Sequence, residues 1–394
     1  MDLATAPPSN SYLTAEQLNE PEKWYPLRVM VCEQCWLVQT EDFVFAEDMF
    51  CNDYAYFSSM SSSWVAHARQ YVADVTSRFK LDQSSLVVEI AANDGYLLQF
   101  VKQRGIPCLG IEPTASTATA ARAKGIETID VFFGRRAAAE LVVDGKRADL
   151  IIANNVLAHV PDINDFVRGG AELLKPNGVA TFEFPHLLNL VAFNQFDTIY
   201  HEHFSYLSLS TVVRIFGQNG LFVFDVDELP THGGSLRVFA ERCDARSRGR
   251  STAVVGLIER ERRAGVETCD FYSSFQGRIE KIKNDLLSFL ITQKGNGKMV
   301  AAYGAAAKGN TLLNFSGVRG DAIRFVVDRS PGKQGKFLPG SRVPIVGESQ
   351  LRASRPDFVL ILPWNIRDEI VSQLSYISEW GGRFVQAIPR LEIS

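Results

Sequence analysis

The spacing of apolar and polar positions changes character several times along the chain. Residues 1 to about 50 are turn-rich, with two short apolar runs at 27–31 and 36–39 flanking a knuckle-like turn, Cys32-Glu33-Gln34-Cys35. From about 60 to 80, Trp64, Ala68, Val72 and Val75 recur at helical spacing and predict an amphipathic helix. Short apolar runs then alternate with helical stretches. Strands are predicted at 86–91, 108–111, 150–153 and 178–184, with helices from about 96, over 114–124 and over 166–174. This alternation predicts a parallel sheet covered on both faces. Residues 251–294 mix dense charge with apolar positions such as Leu257, Phe275, Ile279, Ile282 and Leu286, predicting a long helix, or two, that link the halves of the molecule. A second βα pattern opens at 299–303 and continues through 325–327, 358–362 and 384–387. It predicts a smaller α/β domain, a cousin of the first.

Composition narrows the class. A chain of 394 residues exceeds one ordinary core, so two or three domains are expected. Apolar content of 46% and charge of 22% fit a folded globular protein. A net charge of −4 gives no footprint for nucleic acid or an anionic membrane. No apolar run approaches the roughly 20 residues a bilayer needs, and the first residues lack the basic and apolar regions of a signal peptide. Six cysteines fit a reducing cytoplasm better than a disulfide scaffold.

The sharpest chemical signal is Val87-Val88-Glu89-Ile90-Ala91-Ala92-Asn93-Asp94-Gly95, a buried strand running into a turn of small residues and then a helix. A ligand approaching this backbone closely requires small side chains, and Gly95 lets the turn tighten. Glu112 ends the next strand, where a carboxylate can accept both hydroxyls of a ribose. A dinucleotide fingerprint wants three glycines, and only Gly95 is present, so a pyrophosphate would be poorly cradled. S-adenosylmethionine (SAM), which has no diphosphate, fits better than NAD or a purely structural turn. Asn154 and Asn155 end the third strand, at the sheet edge where ligands sit in open α/β folds. His159 follows, either at the core rim or at the site.

A second cluster, Tyr200-His201-Glu202-His203-Phe204, packs titratable groups behind a predicted strand. Histidine takes a proton at neutral pH, and a neighbouring carboxylate can fix its tautomer. A metal site competes with this reading, although no third ligand is apparent locally; so does a histidine-rich surface turn. Thr231-His232-Gly233-Gly234 permits close backbone approach to a ligand or forms a hairpin turn. The serines at 61–63 suit a helix cap, and a tyrosine in 54–56 is placed to reach a substrate oxygen.

Together the segments YAYFSSMSSSW, VVEIAANDGYLL, LGIEP, FDTIYHEHFSYLS, THGGSLRVF and AAYGAAAKGNTLLN resemble the nucleotide-sugar C-methyltransferases, over essentially the whole chain. The resemblance implies a zinc-binding module over 1–60, a Rossmann-like SAM domain over 61–245, and a helical linker with a C-terminal Rossmann-like domain over 246–394. It implies methylation at C3 of a nucleotide-linked 4-keto-6-deoxy sugar. His203 would be the base, with Tyr200 and Glu202 positioning it or the substrate, Tyr56 hydrogen-bonding near the reacting keto group, and His201 the rival base. SAM would meet Glu89, Ala91, Asn93, Gly95, Glu112 and Asn154. The substrate would meet His232, Gly233, Tyr303, Lys308 and Asn310, the last three at its nucleotide end. Gly304 to Gly309 is not a P-loop, since no Lys-Ser or Lys-Thr follows the second glycine. The family's first C-x-x-C precedes the point where this chain starts. Only Cys32 and Cys35 remain, and two thiolates hold zinc poorly. Methylation of oxygen or nitrogen on another acceptor, and a non-catalytic SAM-binding scaffold, are the rival functions.

Overall fold

The structure, a computed structural model, describes residues 1–43 and 57–394. Three sheets organise it. The first contains β1 (Asp2–Ala6), β2 (Tyr25–Val31) and β3 (Val38–Thr40), extended by β9 (Ser205–Tyr206), in the order β1-β2-β3-β9 and antiparallel throughout. The pairing of β3 with β9 places this sheet directly against the turn that carries His203. Thr40 Oγ1 donates to the His203 carbonyl at 2.8 Å.

The central sheet contains β4 (Val87–Ile90), β5 (Cys108–Ile111), β6 (Glu127–Ile129), β7 (Ala148–Asn154), β8 (Leu174–Pro185), β10 (Leu221–Leu229) and β11 (Ser235–Arg242). Its order is β10-β11-β8-β7-β4-β5-β6, with β4 to β8 parallel and β11 antiparallel to both its neighbours. The chain runs outward from β4 in both directions, so β4 and β7 meet at a topological switch point. Ligand crevices form outside the carboxyl ends of strands at such a point. Every residue of β4 is buried, as expected of a strand covered on both faces.

The third sheet has β12 (Val300–Tyr303), β13 (Val326–Val327), β14 (Ile345–Val346), β15 (Phe358–Ile361), β16 (Arg383–Gln386) and β17 (Glu392–Ile393). Its order, β14-β13-β12-β15-β16-β17, is the 3-2-1-4-5-6 arrangement of doubly wound dinucleotide folds, with an antiparallel last strand.

The helix predicted near 60–80 spans Ser62–Phe79. Ser61 caps it by accepting from the Trp64 N–H, and Lys80 ends it in the left-handed region. The charged zone resolves into three helices, Thr252–Ala264, Cys269–Ser273 and Phe275–Gly295. The last is not a solvated tether. Its Ile279, Ile282 and Leu286 join Leu27 and Val29 of the first sheet and Val300, Leu360 and Val385 of the third in one apolar cluster. The helix Arg135–Val143 and strand β6 carry no clear period in the sequence and are additions to the predicted pattern. Among the described residues no helix is long and apolar enough to cross a membrane.

Candidate active site

A cavity of about 700 Å³ opens at the carboxyl ends of the central strands and is closed on its far side by the third sheet's first crossover. That volume lies in the range of small-molecule sites. One end is mostly apolar, with Ile90, Ile111, Val131, Phe132, Phe133 and Phe166 on the wall. The other end is polar and gathers Asn10, Tyr200, Glu202, His203, His232 and Lys308.

At the apolar end, Ala91 and Asn93 both adopt positive φ, 57° and 49°, which turns the backbone after β4 sharply around the cavity. Glu112 accepts from the backbone N–H of Asn93 at 2.8 Å and of Thr114 at 3.0 Å, which fixes its carboxylate at the cavity rim. Each oxygen keeps a further lone pair for a donor. Asn154 reaches the same wall, and its Oδ1 is buried without a partner. A carboxylate for a diol, a flat apolar slot and a buried unsatisfied acceptor fit the ribose, base and amino group of SAM.

Two residues expected at this end lie beneath it. Glu89 is fully buried under the cavity floor, and burial, followed by the charges of Glu112 and Asp94, pushes its carboxyl well above the usual range. Gly95 has φ of +74°, and a Cβ there would stand 2.4 Å from the Ile126 side chain, so its absence of a side chain serves packing.

At the polar end, His203 Nδ1 lies 2.8 Å from the Thr198 carbonyl oxygen. A carbonyl only accepts, so Nδ1 carries the hydrogen and Nε2 keeps its lone pair. The ring is enclosed by the rings of Tyr200, at 4.0 Å between centroids, and His159, at 4.5 Å. Burial, reinforced by His159, holds the imidazole well below its ordinary pKa, so it is neutral at physiological pH. His159 is itself lowered to about 4, chiefly by burial. It lines the cavity and hydrogen-bonds the Glu202 backbone. Glu202 is buried and raised to about 7 by loss of solvent, opposed by a 2.7 Å hydrogen bond from Asn10 Nδ2.

His201 points the other way. Its Nε2 sits 3.1 Å from the Pro26 carbonyl and its ring packs edge-on against Tyr25, so it belongs to the seam with the first sheet. Residues 200–203 form a turn, closed by the His203 N–H donating to the Tyr200 carbonyl at 2.9 Å; in extended chain two residues that are two positions apart would share a face, and the turn separates the two histidines. Tyr56 lies outside the described residues.

His232 lines the cavity at φ of +53°, within 5.2 Å of the Trp64 ring. Its turn is held from below, since Thr231 Oγ1 donates to Glu183 at 3.0 Å, and Arg237 and His67 also bond that carboxylate. Gly233 faces Trp364, which a Cβ would strike at 2.4 Å; it lets the turn pass that indole and does not line the cavity. Of the three positions expected at the nucleotide end, only Lys308 lines the cavity. Asn310 is fully buried and donates to the Ser9 carbonyl at 2.6 Å, fastening the N-terminal segment. Tyr303 packs into a separate apolar cluster with Phe325 and Leu351.

Asn10 has no signal in the sequence that marks it as part of the site. Residues 9–12 thread between the His203 turn and the third sheet, where Tyr12 donates to the Ala305 carbonyl at 2.7 Å. Trp64 carries a signal, an aromatic in the first turn of a capped helix, but its helical spacing points equally to an apolar stripe.

Zinc fares differently from SAM. Cys32 and Cys35 are half-buried free thiols, and among the described residues no group of three or more His, Cys, Asp or Glu could hold a metal. The described residues therefore do not supply a structural zinc with its four ligands.

The model of a C-methyltransferase C-terminal domain matches residues 230–389, that of a methyltransferase domain matches 64–226, and that of a zinc binding domain matches 1–50. The chain is 37% identical over 368 residues to the C-methyltransferase NovU of Streptomyces niveus, covering 93% of this chain and 87% of that one. It is 29% identical over 118 residues to the ubiquinone biosynthesis O-methyltransferase of Azorhizobium caulinodans, covering 28% of this chain and 47% of the relative. The SAM-bound magnesium protoporphyrin IX methyltransferase of Synechocystis aligns with 47% of this chain and 83% of its own, at 17% identity and a TM-score of 0.35.

Proposed function

The chain belongs to the SAM-dependent C-methyltransferases, and on that premise we propose that it methylates C3 of a nucleotide-linked 4-keto-6-deoxy sugar, acting in the cytoplasm. The observation that carries this reading is the His203 ring: its Nδ1–H is fixed on Thr198, and it shares a cavity with Glu112 and Asn154. Carbon needs deprotonation before it can attack, and a carbon next to a carbonyl is acidic enough for a neutral imidazole. His203 Nε2 takes that proton, and the C–H electron pair moves to form a carbon–carbon double bond with charge on the carbonyl oxygen. SAM, when bound, supplies an electrophilic methyl group. Tyr200 and His159 hold the imidazole plane, and Glu202 with Asn10 forms the adjoining wall. Ala91, Asn93, Glu112 and Asn154 hold the donor; Glu89 and Gly95 support them from below. Trp64 and His232 cover the sugar side.

The test is to incubate the protein with methyl-labelled SAM and dTDP-4-keto-6-deoxyglucose, beside hydroxyl and amine acceptors, and to locate the label by NMR. The expected product carries the label on C3. Label on oxygen or nitrogen overturns carbon chemistry, whereas label on C5, the other carbon flanking the carbonyl, overturns the position alone.

A further inference from the structure

Lys308 was expected at the nucleotide end of the substrate, yet it lines the same cavity as His203 and His232. It stands in the first turn of the helix Ala307–Phe315, whose amino end, Ala306 and Ala307, also faces the cavity. Its Nζ donates to Asn365 Oδ1 at 2.7 Å and sits over the Trp364 ring at 4.7 Å. Trp364 is fixed in turn by donating from Nε1 to Asp197 Oδ2 at 2.7 Å. Asp197 immediately precedes Thr198, the residue that orients His203. One frame therefore positions both the ammonium and the imidazole.

An ammonium has three donors, and Asn365 takes one. Among the described residues no carboxylate lies within ion-pair distance of Nζ; Asp197 attracts it only from further away. A buried cation in this state is costly unless something anionic completes its shell. The other cations of the cavity are placed differently. Lys333 is committed to the Ala305 carbonyl at 2.8 Å, and Arg136 stands with Phe132 and Phe133 at the apolar end.

We propose that Lys308 is a catalytic residue, its ammonium hydrogen-bonding the substrate's carbonyl oxygen and stabilising the negative charge that develops there. The inference rests on the carbonyl substrate of the proposed function. When His203 Nε2 removes the proton from carbon, the C–H pair becomes the new carbon–carbon bond and the carbonyl π pair goes to oxygen. That oxygen meets the two uncommitted N–H donors of Lys308. Attack of the carbon on the methyl group restores the carbonyl, and the electron pair of the broken sulfur–methyl bond leaves on sulfur. No oxidant or reductant is required. Donors aimed where charge develops are strongest in a site closed to water, and the helix amino end adds to the same field.

The test compares wild-type with Lys308→Met, a nearly isosteric change that removes the donors and the charge. Turnover on dTDP-4-keto-6-deoxyglucose with saturating SAM is expected to fall on the order of 100- to 1,000-fold, while the dissociation constants of SAM and of dTDP alone stay within about twofold. Asn365→Leu, which releases Nζ from its anchor, should lower turnover by about tenfold, again with dTDP binding unchanged. If Lys308→Met instead weakens dTDP binding tenfold or more with turnover retained, Lys308 serves the diphosphate and the proposal is overturned. Retained turnover with unchanged binding overturns it as well. If Lys308→Met does not fold, as judged by circular dichroism, Asn365→Leu decides alone: unaltered turnover overturns the proposal. A wild-type protein that methylates no carbonyl sugar refutes the proposed function itself, which is a separate outcome.

Discussion

The His203 imidazole donates from Nδ1 to the Thr198 carbonyl at 2.8 Å, a contact made within a single turn of the chain. This bond selects the tautomer that leaves Nε2 basic, and β9 then ties the turn to the first sheet only two residues later. Removing the ring should leave the fold and the donor site intact. His203→Ala is expected to lower turnover by roughly 100- to 10,000-fold with SAM affinity unchanged, measured by product formation and calorimetry. His201→Ala, whose ring faces Pro26, should retain turnover within about threefold.

Glu202 gives a pH signature in stability. Its carboxyl is raised from 4.5 to about 7, mainly by burial. The folded protein therefore holds this proton where the unfolded chain has released it. The resulting contribution is fully present below about pH 4.5 and is lost as pH rises through about 7. Glu202→Gln cannot titrate, so its stability relative to wild-type should rise across that window, by on the order of 3 kcal/mol, and then level off. Urea melts of both proteins at a series of pH values check this. A constant difference would mean that Glu202 titrates normally.

Much of this arrangement was legible in the chain, for identifiable reasons. The β4 strand and its turn announced themselves because a strand buried on both faces demands a nearly continuous apolar run, broken here by Glu89 alone, and a close-fitting ligand demands small residues after it. The amphipathic helix over Ser62–Phe79 was legible from its period and its serine cap. Asn10 was not, because it reaches Glu202 across 192 positions of sequence and no local pattern encodes that meeting. The surroundings of Asn310 and Tyr303 were not legible for a related reason. A motif fixes which residues lie near a strand end, but their faces are settled by packing, and here Ser9 claims the asparagine and the apolar cluster claims the tyrosine. The two histidines of the turn could be separated only once its backbone direction was known.

Glu112 is held by two backbone N–H groups and presents its remaining lone pairs to the cavity. Glu112→Ala removes the acceptor for the ribose hydroxyls. Loss of a charged hydrogen-bond partner is worth about 1.5–3 kcal/mol, so the SAM dissociation constant should rise by roughly 10- to 150-fold, read by calorimetry. An unchanged constant would place the ribose elsewhere.

Gly95 serves the same site through packing. A methyl group there meets Ile126 at 2.4 Å on a backbone at φ of +74°. Gly95→Ala should destabilise the fold by about 1–3 kcal/mol, seen as a lower melting temperature without added ligand. An unchanged melting temperature would show that the turn relaxes freely.

The most direct test of the chemistry is exchange of the sugar's carbon-bound hydrogen with solvent. The nucleotide-linked 4-keto sugar is incubated in D2O with the protein and S-adenosylhomocysteine, which fills the donor site without a methyl group to transfer. Deuterium at C3 is followed by NMR. Wild-type should catalyse its uptake above the uncatalysed rate, and His203→Ala should not. Equal uptake with both proteins, or none with wild-type while methylation proceeds on oxygen or nitrogen, would contradict proton removal from carbon by His203.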